Sequence, residues 1–204
     1  THHPTGSTTV YDPKQDTLTV VDNHGRTITR PLDFFKGWFV KGYPADKVLD
    51  LLDPRPGQKD PGNTTLRDTL RRAGISQEDL KNATDIETNG YSDSVKITLK
   101  DGTEIWTGPD SDGSGSSVTK PNGDQTEVYP DGRVSTRKGK DGHTVTTHPD
   151  GLTTDYDPTD DTMTVRDDHG NAETRTMEFW NDWFRDGHTV GDLFRLYNDM
   201  PNNK

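Results

Sequence analysis

Two short groups of acidic and histidine side chains in this 204-residue chain have the types and spacing that metal binding or proton transfer requires. Asp110 and Asp112 alternate ahead of Gly113, as in the first half of a calcium loop, and Ca²⁺ prefers six to eight oxygen ligands. The loop position that usually supplies a bidentate glutamate is occupied by Pro121. Asp110 and Asp112 are therefore the candidate metal ligands, calcium is the candidate ion, and the alternative is a solvated linker.

The second group is a pair of turn histidines. His24 and His169 each precede a glycine and lie two residues after Asp22 and Asp167. A histidine beside a carboxylate can serve as a general base. No serine occupies a strand-to-helix nucleophile motif, no H-x-x-x-H spacing occurs, and no two of the 35 acidic residues are singled out as a hydrolase pair. These observations predict no catalytic residue and favour a role for both histidines in turns.

Aromatic residues form the third group, because eight of the ten Phe and Trp side chains fall into two short stretches. A concentration of large apolar rings in a polar chain predicts either the core of a small folded module or a surface that docks a protein or glycan partner. The core interpretation is favoured, because a chain this polar needs its aromatic residues for folding. The partner-docking candidates are Phe34, Phe35, Trp38, Phe39, Phe179, Trp180, Trp183 and Phe184.

Both aromatic stretches belong to a longer repeat. Residues 1–52 align without a gap onto residues 146–197, at an offset of 145, and about 23 of the 52 positions are identical. We call residues 8–52 the first repeat and residues 153–197 the second repeat. The match begins at the first residue, which predicts that the chain is a piece of a longer repetitive protein; the alternative is a complete protein with one duplicated motif.

Each repeat is predicted to fold as a β-hairpin followed by two short helices. In the first repeat, β-branched residues at 17–22 and 26–30 flank a turn that contains Gly25. The apolar stripe that follows Pro31 has helical spacing, and Gly42 is placed to end that helix. A second helix would follow Pro44.

The region between the repeats is predicted to contain a helical hairpin at 64–84, a β-hairpin at 95–106, a linker at 108–117 and a polar meander of strands. Asn-Gly and Asp-Gly pairs recur every nine or ten residues in the meander and favour tight turns. The fold class is therefore α+β and β-rich, with duplicated hairpin-plus-two-helix modules joined by a polar antiparallel β-meander. The predicted boundaries are 1–59 for the first module, 60–107 for the helical hairpin and β-hairpin, 108–152 for the linker and meander, and 153–204 for the second module.

Composition excludes several functional classes. The chain has 24 basic and 35 acidic residues, a net charge of −11, and only 25% hydrophobic residues. An acidic chain repels nucleic acid, and no apolar run is long enough to insert into a membrane. With no cysteine, the chain has neither a disulfide nor a zinc–thiolate site. The scarcity of aliphatic residues also argues against one large hydrophobic core.

The segments YPDGRV (129–134), HPDGLT (148–153) and YDPTDDTMTVRDDHGN (156–171) resemble the YD repeats of bacterial RHS and teneurin-type surface and toxin proteins. This resemblance implies a secreted or cell-surface β-scaffold, extracellular and bacterial, that carries another domain. It implies no catalytic residue.

Together, the sequence favours a non-enzymatic, repetitive scaffold or interaction module that acts as a stalk or as a docking unit for a protein or glycan. Self-association through the repeats is a further expectation. Two alternatives stay open, namely the carrier or catalytic region of a secreted toxin or hydrolase, and an adhesin stalk stiffened by calcium.

Overall fold

The structure is a computed structural model that describes residues 1–40, 42–44, 46–53, 65–88, 94–108 and 115–199. Antiparallel strands dominate these residues, and short helices account for most of the remaining regular structure. The predicted β-rich α+β class is therefore confirmed. The strands are β1 (Thr8–Asp12), β2 (Thr17–Val21), β3 (Thr27–Pro31), β4 (Asp85–Thr88), β5 (Val95–Thr98), β6 (Glu104–Thr107), β7 (Ser116–Thr119), β8 (Gln125–Val128), β9 (Val134–Arg137), β10 (Thr144–Thr147), β11 (Thr153–Asp157), β12 (Thr162–Arg166) and β13 (Ala172–Thr176).

The helices are all short, with ten residues at most among those described. None of the helices in the described ranges combines the length and the apolar character that crossing a bilayer requires. Their bounds are α1 (Leu32–Val40), α2 (Lys47–Leu52), α3 (Leu66–Ala73), α4 (Gln77–Lys81), α5 (Met177–Arg185) and α6 (Val190–Asp199).

The chain divides into two compact units. Unit 1 comprises Thr1–Pro121 and Gln125–Pro130, and unit 2 comprises Asn122–Asp124 and Asp131–Lys204. The four predicted segments are a finer division than this, and their boundaries stay a prediction. Residues 53–63, a segment rich in Pro and Gly that the sequence predicts to be a connector, lie largely outside the described residues. The same holds for the predicted linker at 108–117.

Unit 1 holds the larger core. Strands β1–β3 form one antiparallel sheet, and β4–β8 follow one another as an antiparallel meander. Alternate residues of β5 and β6, among them Val95, Ile97 and Ile105, are buried, as their spacing predicts. They join side chains of β2, β3 and α1–α4 in one cluster. Despite the low apolar content, unit 1 therefore has a continuous core, because nearly every large aliphatic side chain of its described residues is part of it.

The predicted helical hairpin is present as α3 and α4. Gly74 ends α3 with a left-handed φ of 73°, which a residue without Cβ adopts without strain. Ser76 then caps α4: its hydroxyl accepts a hydrogen bond from the Asp79 amide, and the Asp79 carboxylate accepts one from the Ser76 amide. This reciprocal arrangement is the capping box that the sequence predicts, with Asp in place of Glu.

Unit 2 has a much smaller core. Strands β9–β13 form an antiparallel meander, and α5 and α6 follow β13. The buried cluster contains Val165, Trp180, Leu193 and Phe194. Strands β9–β11 are mostly half-buried or exposed on both faces, and cross-strand hydroxyl pairs such as Ser135–Thr146, at 2.7 Å, contribute to their pairing. The polar meander is thus made of strands, as predicted.

One predicted turn in unit 2 has a different geometry. Gly132 and Gly151 have the positive φ expected of their Asp-Gly turns, but Gly142 does not; in that connection the positive φ is at Gly139. A Cβ at position 142 would lie 1.7 Å from the Lys138 carbonyl oxygen. Gly142 is therefore required for close approach of the backbone rather than for a left-handed conformation.

The two repeats contain the same elements at the same offset. Strands β1–β3 and helix α1 begin and end 145 residues before β11–β13 and α5, and the registers agree. The prediction of a two-stranded hairpin was incomplete, because each repeat has a third strand, β1 or β11. The Tyr-Asp pair of the YD motif belongs to that added strand. The Tyr11 hydroxyl donates a hydrogen bond to Asp16, and the Tyr156 hydroxyl donates one to Asp161; both of these aspartates have a positive φ.

Candidate functional site

The aromatic residues of the first repeat lie mostly in the core. Phe35 is fully buried, and the exposed fractions of Phe34 and Trp38 are 4% and 3%. The Trp38 indole donates a hydrogen bond of 2.9 Å to the Pro44 carbonyl, which ties α1 to the segment that leads into α2. Phe39 is 38% exposed. Three of the four docking candidates in this repeat are thus unavailable to a partner.

Another part of unit 1 covers this face of α1. Strand β4 lies along α1, and the Thr88 hydroxyl donates a hydrogen bond of 3.1 Å to the Gly37 carbonyl. A Cβ built on Gly37 would lie 3.6 Å from the Ile86 carbonyl oxygen, so the strand backbone passes directly over this position. Ile86 is 2% exposed and belongs to the same buried cluster as Phe34 and Trp38. An extended segment with an aliphatic side chain therefore closes the aromatic face.

The second repeat presents its aromatic residues differently. Trp180 is fully buried, and its indole donates a hydrogen bond of 2.8 Å to the Met163 carbonyl. Phe179 and Trp183 are only half-buried, and their rings stack with centroids 6.0 Å apart. Phe184 is 43% exposed. Within unit 2, these three rings are the docking candidates that a partner could reach.

We define the α5 face as Phe179, Asp182 and Trp183, the counterparts of Phe34, Gly37 and Trp38. Asp182 is exposed and forms an ion pair of 2.8 Å with Arg185. Exposed Glu178 and Asp186 add to the negative charge of this helix. The α5 face therefore combines half-buried aromatic rings with a carboxylate at the position where the first repeat has no side chain.

An open groove lies within unit 2, between the α5–α6 connection and the strands, with Phe184 in its lining. Its volume is about 710 Å³. Apolar side chains form its floor, and His148 and His188 contribute polar edges; the His188 ring packs 4.3 Å from that of Trp183. The apolar lining residues are Leu152, Met163, Phe184 and Val190.

A network around Arg26, which we call the Arg26 bridge, distinguishes the repeats further. Its guanidinium pairs with Asp22 at 2.7 Å and Asp50 at 2.8 Å, and it donates to the carbonyls of Leu49 and Asp53. Burial alone would raise the pKa of Asp22, but hydrogen bonds and charge from Arg26 outweigh it and lower that pKa. The bridge joins the β2–β3 turn to α2.

The counterpart of Arg26 in the second repeat is Asn171, whose side-chain amide donates a hydrogen bond of 2.7 Å to the Asp167 carboxylate. That hydrogen bond is the largest influence lowering the pKa of Asp167. The counterpart of Asp50 is Arg195, which pairs with Asp192 on its own helix. Helix α6 is therefore not joined to its hairpin in the way that α2 is.

The turn histidines and their aspartates have structural roles. Asp22 accepts hydrogen bonds from the amides of His24 and Arg26, and Asp167 accepts them from those of His169 and Asn171. These are the contacts of aspartate-stabilised turns. Asp167, Asp168 and His169 also have ligand atoms within 4.8 Å of one another, but the Asp167 carboxylate is already engaged by the turn. In the acidic segment DPTDD (157–161), Asp157 likewise accepts a hydrogen bond from the Thr159 amide.

The calcium-ligand candidates Asp110 and Asp112 lie outside the described residues, so the calcium site stays a prediction. Three residues that shape the sites of this fold were not predicted from the sequence: Arg26, Arg30 and Gly37. In the alignment of the repeats, Arg26 and Gly37 differ from their counterparts Asn171 and Asp182, whereas Arg30 is matched by an identical residue, Arg175. The atoms that all three contact lie 23 or more residues away along the chain.

Comparison with known proteins gives structural neighbours only. No protein-family model matches the sequence, and no curated protein sequence matches it either. Similar solved structures include the wild-type TCP10 domain of Danio rerio CPAP, with 16% identity over 87% of this chain and 72% of that chain and a TM-score of 0.42. The same domain in complex with a STIL peptide has 16% identity over 85% and 66% of the two chains and a TM-score of 0.43. The SAS-4 TCP domain of Drosophila melanogaster, in complex with a proline-rich motif of Ana2, has 13% identity over 86% and 87% and a TM-score of 0.31.

These findings correct the interpretation of the chain as a YD-repeat protein. The neighbours are CPAP and SAS-4 domains, and one is described in connection with centriole elongation. The bacterial, secreted, cell-surface, stalk and toxin-carrier expectations, which depended on that resemblance, are therefore wrong. Local turn chemistry explains the misleading motif, since Tyr156 and Asp157 both make hydrogen bonds within one turn. A protein partner, also predicted, agrees with the neighbours that were solved with bound peptides.

Proposed function

We propose that this chain is a non-enzymatic protein-interaction module that binds an extended polypeptide segment on the α5 face. We also propose that its two repeats arose by internal duplication, since elements, registers and turn hydrogen bonds recur at one offset. The observation that carries the binding proposal is the partial exposure of Phe179 and Trp183, whose counterparts Phe34 and Trp38 are covered by an extended segment of the chain itself.

The contact between α1 and β4 indicates what an occupant of the α5 face would look like. In that contact an aliphatic side chain, Ile86, is buried in the same cluster as the rings of α1, and the Thr88 hydroxyl donates a hydrogen bond to the helix backbone. Association is driven by the apolar surface that both partners bury away from water in such a contact. An extended segment with one buried aliphatic residue therefore fits the α5 face.

Asp182 determines the charge of that segment. In the first repeat the Ile86 carbonyl oxygen lies near the Gly37 position, and a carboxylate there would be repelled by it. The occupant of the α5 face must instead present a donor, such as a backbone N–H group, lysine or arginine, beside Asp182. The exposed carboxylates of Glu178 and Asp186 also favour a positively charged ligand. The expected ligand is a basic, aliphatic peptide.

The absence of enzymatic activity is part of the proposal. It is supported by the turn and cap roles of Asp22, Asp157 and Asp167, whose carboxylates are engaged by backbone amides. Two of the structural neighbours were solved in complex with bound peptides. The proposal for this chain depends on its own exposed rings and their covered counterparts.

The test is selection of peptides from a random display library on the full chain. Selected peptides should combine an aliphatic residue with Lys or Arg, and Asp182→Lys should weaken their binding about tenfold. Asp160→Lys changes the net charge equally at an exposed turn residue and should leave binding unchanged. If Asp182→Lys and Asp160→Lys bind alike, or if NMR shifts on peptide binding fall outside α5, the proposal is wrong.

A further inference from the structure

Unit 1 contains an open pocket that the proposed function does not use. Its volume is about 1000 Å³, and it lies where the end of β3, the α3–α4 turn, the α4–β4 connection and the β5–β6 turn meet. Part of its wall is apolar. The apolar lining residues are Pro31, Ile75, Ala83 and Leu99.

Three cationic side chains line the same pocket: Arg30, Lys100 and Lys120. The Arg30 guanidinium donates hydrogen bonds of 3.2 Å to the Ala83 carbonyl and 2.9 Å to the Thr29 carbonyl, and it lies 5.8 Å from the Phe34 ring centroid. Burial lowers the pKa of Arg30. In the described part of the chain, none of these three cations forms an ion pair with a carboxylate, although the protein carries a net charge of −11.

The two carboxylates of the pocket, Asp79 and Asp101, offset part of this charge, but neutral donors of their own turns hold them, and neither forms an ion pair with the three cations. Asp79 accepts hydrogen bonds from the amide and the hydroxyl of Ser76, at 2.9 and 2.6 Å, as part of the capping box. Asp101 accepts hydrogen bonds from the amide and the hydroxyl of Thr103, at 2.9 and 3.0 Å. Among the described residues, the hydrogen-bond acceptors of the Arg30 guanidinium are therefore carbonyl oxygens, and a desolvated guanidinium gains most from an oxyanion.

The second repeat shows the same arginine with its charge balanced. Arg175 occupies the position of Arg30, with its guanidinium 5.6 Å from the Phe179 ring centroid and a hydrogen bond of 3.2 Å to the Thr174 carbonyl. It forms an ion pair with Glu173. The counterpart of Glu173 in the first repeat is Ile28, which is buried in the core. The first repeat thus keeps the arginine, has no carboxylate at the matching position and adds a cationic pocket.

We propose that this pocket binds a phosphoryl dianion carried by an apolar group. Three cations favour a dianion over a single carboxylate, and the planar guanidinium can donate two parallel hydrogen bonds to two phosphate oxygens. Pro31, Ile75 and Leu99 provide a surface for the carrier. The carrier can be a small aryl phosphate or the phosphorylated side chain of a protein, since both present the same chemistry.

The test is NMR titration of the full chain with phenyl phosphate, inorganic phosphate and benzoate. Phenyl phosphate should shift the amides of Arg30, Lys100 and Lys120, and it should bind at least threefold more tightly than either other probe. If inorganic phosphate binds as tightly as phenyl phosphate, the apolar wall does not contribute and the proposed apolar carrier is wrong. If benzoate binds as tightly, the pocket does not prefer a dianion and the proposed phosphoryl specificity is wrong. No shift at the pocket would overturn the site itself.

Two variants and one control complete the test. Arg30→Gln and Lys100→Gln should each weaken phenyl phosphate at least fivefold, and Lys100 is exposed, so its replacement leaves the fold intact. Arg175→Gln is the matched control, because it removes the same charge at the equivalent position of the second repeat. Equal loss in Arg175→Gln and Lys100→Gln would mean that only net charge matters and would contradict the proposal. A phosphotyrosine peptide that binds more tightly than phenyl phosphate would identify a protein as the source.

Discussion

Phe34 and Trp38 are 4% and 3% exposed in the first repeat, whereas Phe179 and Trp183 at the same positions of the second repeat are only half-buried. The helices that carry them have the same length and the same aromatic spacing. What differs is the surroundings, since β4 packs on α1 and the Arg26 bridge joins α2 to its hairpin. One local fold thus has a closed aromatic face in one place and a partly exposed one in the other.

The second repeat compensates for its missing cover with larger side chains. Trp180 stands where the first repeat has Phe35, Leu193 where it has Val48, and Phe194 where it has Leu49. All three of these larger residues are buried. Larger side chains bury more apolar area within the repeat itself, which adds to the small core of unit 2.

The largest expected difference between the repeats concerns the paired tryptophans. Trp38→Ala should lower the free energy of unfolding of unit 1 by about 3–5 kcal/mol, because it leaves a cavity among fully packed rings. Trp183→Ala should cost unit 2 less than half of that, since water already reaches its ring. Urea unfolding followed by NMR signals from each unit measures both losses. Equal losses would contradict the difference in burial.

The next effect is that of the Arg26 bridge. Arg26→Ala should destabilise unit 1 by about 3 kcal/mol, because it leaves the buried Asp22 carboxylate without its partner. The matched change, Asn171→Ala, removes one exposed hydrogen bond and should cost about 1 kcal/mol or less. Hydrogen exchange should speed up in α2 after the first change and stay the same in α6 after the second. Faster exchange in α6 alone would reverse the comparison.

How much of this could be predicted from the sequence depends on the range of the contacts. The capping box at Ser76 and Asp79, the turns at Gly132 and Gly151 and the helical aromatic spacing are local and follow from short motifs. Strand β4 has no periodic apolar pattern, and its role as the cover of α1 depends on residues about 50 positions apart. The Arg26 bridge spans 23–27 positions, so no local pattern indicated it.

The repeats should also differ in their response to acid. Folding lowers the pKa of Asp22 below its ordinary value of 3.8, so ionised Asp22 stabilises unit 1 above that pH and the contribution is lost as the pH falls through the folded pKa. In Arg26→Ala the pKa of Asp22 should rise, because burial is then opposed only by hydrogen bonds from the backbone amides of residues 24 and 26. The pKa of Asp167 should also rise in Asn171→Ala, but by less, because Asp167 loses one neutral hydrogen bond there and no ion pair. NMR titration of the carboxyl carbons measures these shifts, and an unchanged Asp22 would contradict the account of the bridge.

The smallest effect should be the same in both repeats. The hydroxyls of Thr19 and Thr29 lie 2.8 Å apart, and those of Thr164 and Thr174 lie 2.7 Å apart, on matching strands. Thr19→Val and Thr164→Val should each cost about 0.2–1 kcal/mol. Urea unfolding of both variants tests whether the hairpins are equivalent, and a large cost in one repeat only would show that they are not.

Solvent access at the four tryptophans tests the central claim most directly. Hydroxyl-radical footprinting of the full chain, with mass spectrometry of each tryptophan-containing peptide, should modify Trp183 several times faster than Trp38 and leave Trp180 the least modified. Trp106, which is 39% exposed, provides the reference for an accessible ring. Equal modification of Trp38 and Trp183 would mean that the two faces are equally closed or equally open, and the distinction between a structural and a docking repeat would have to be abandoned.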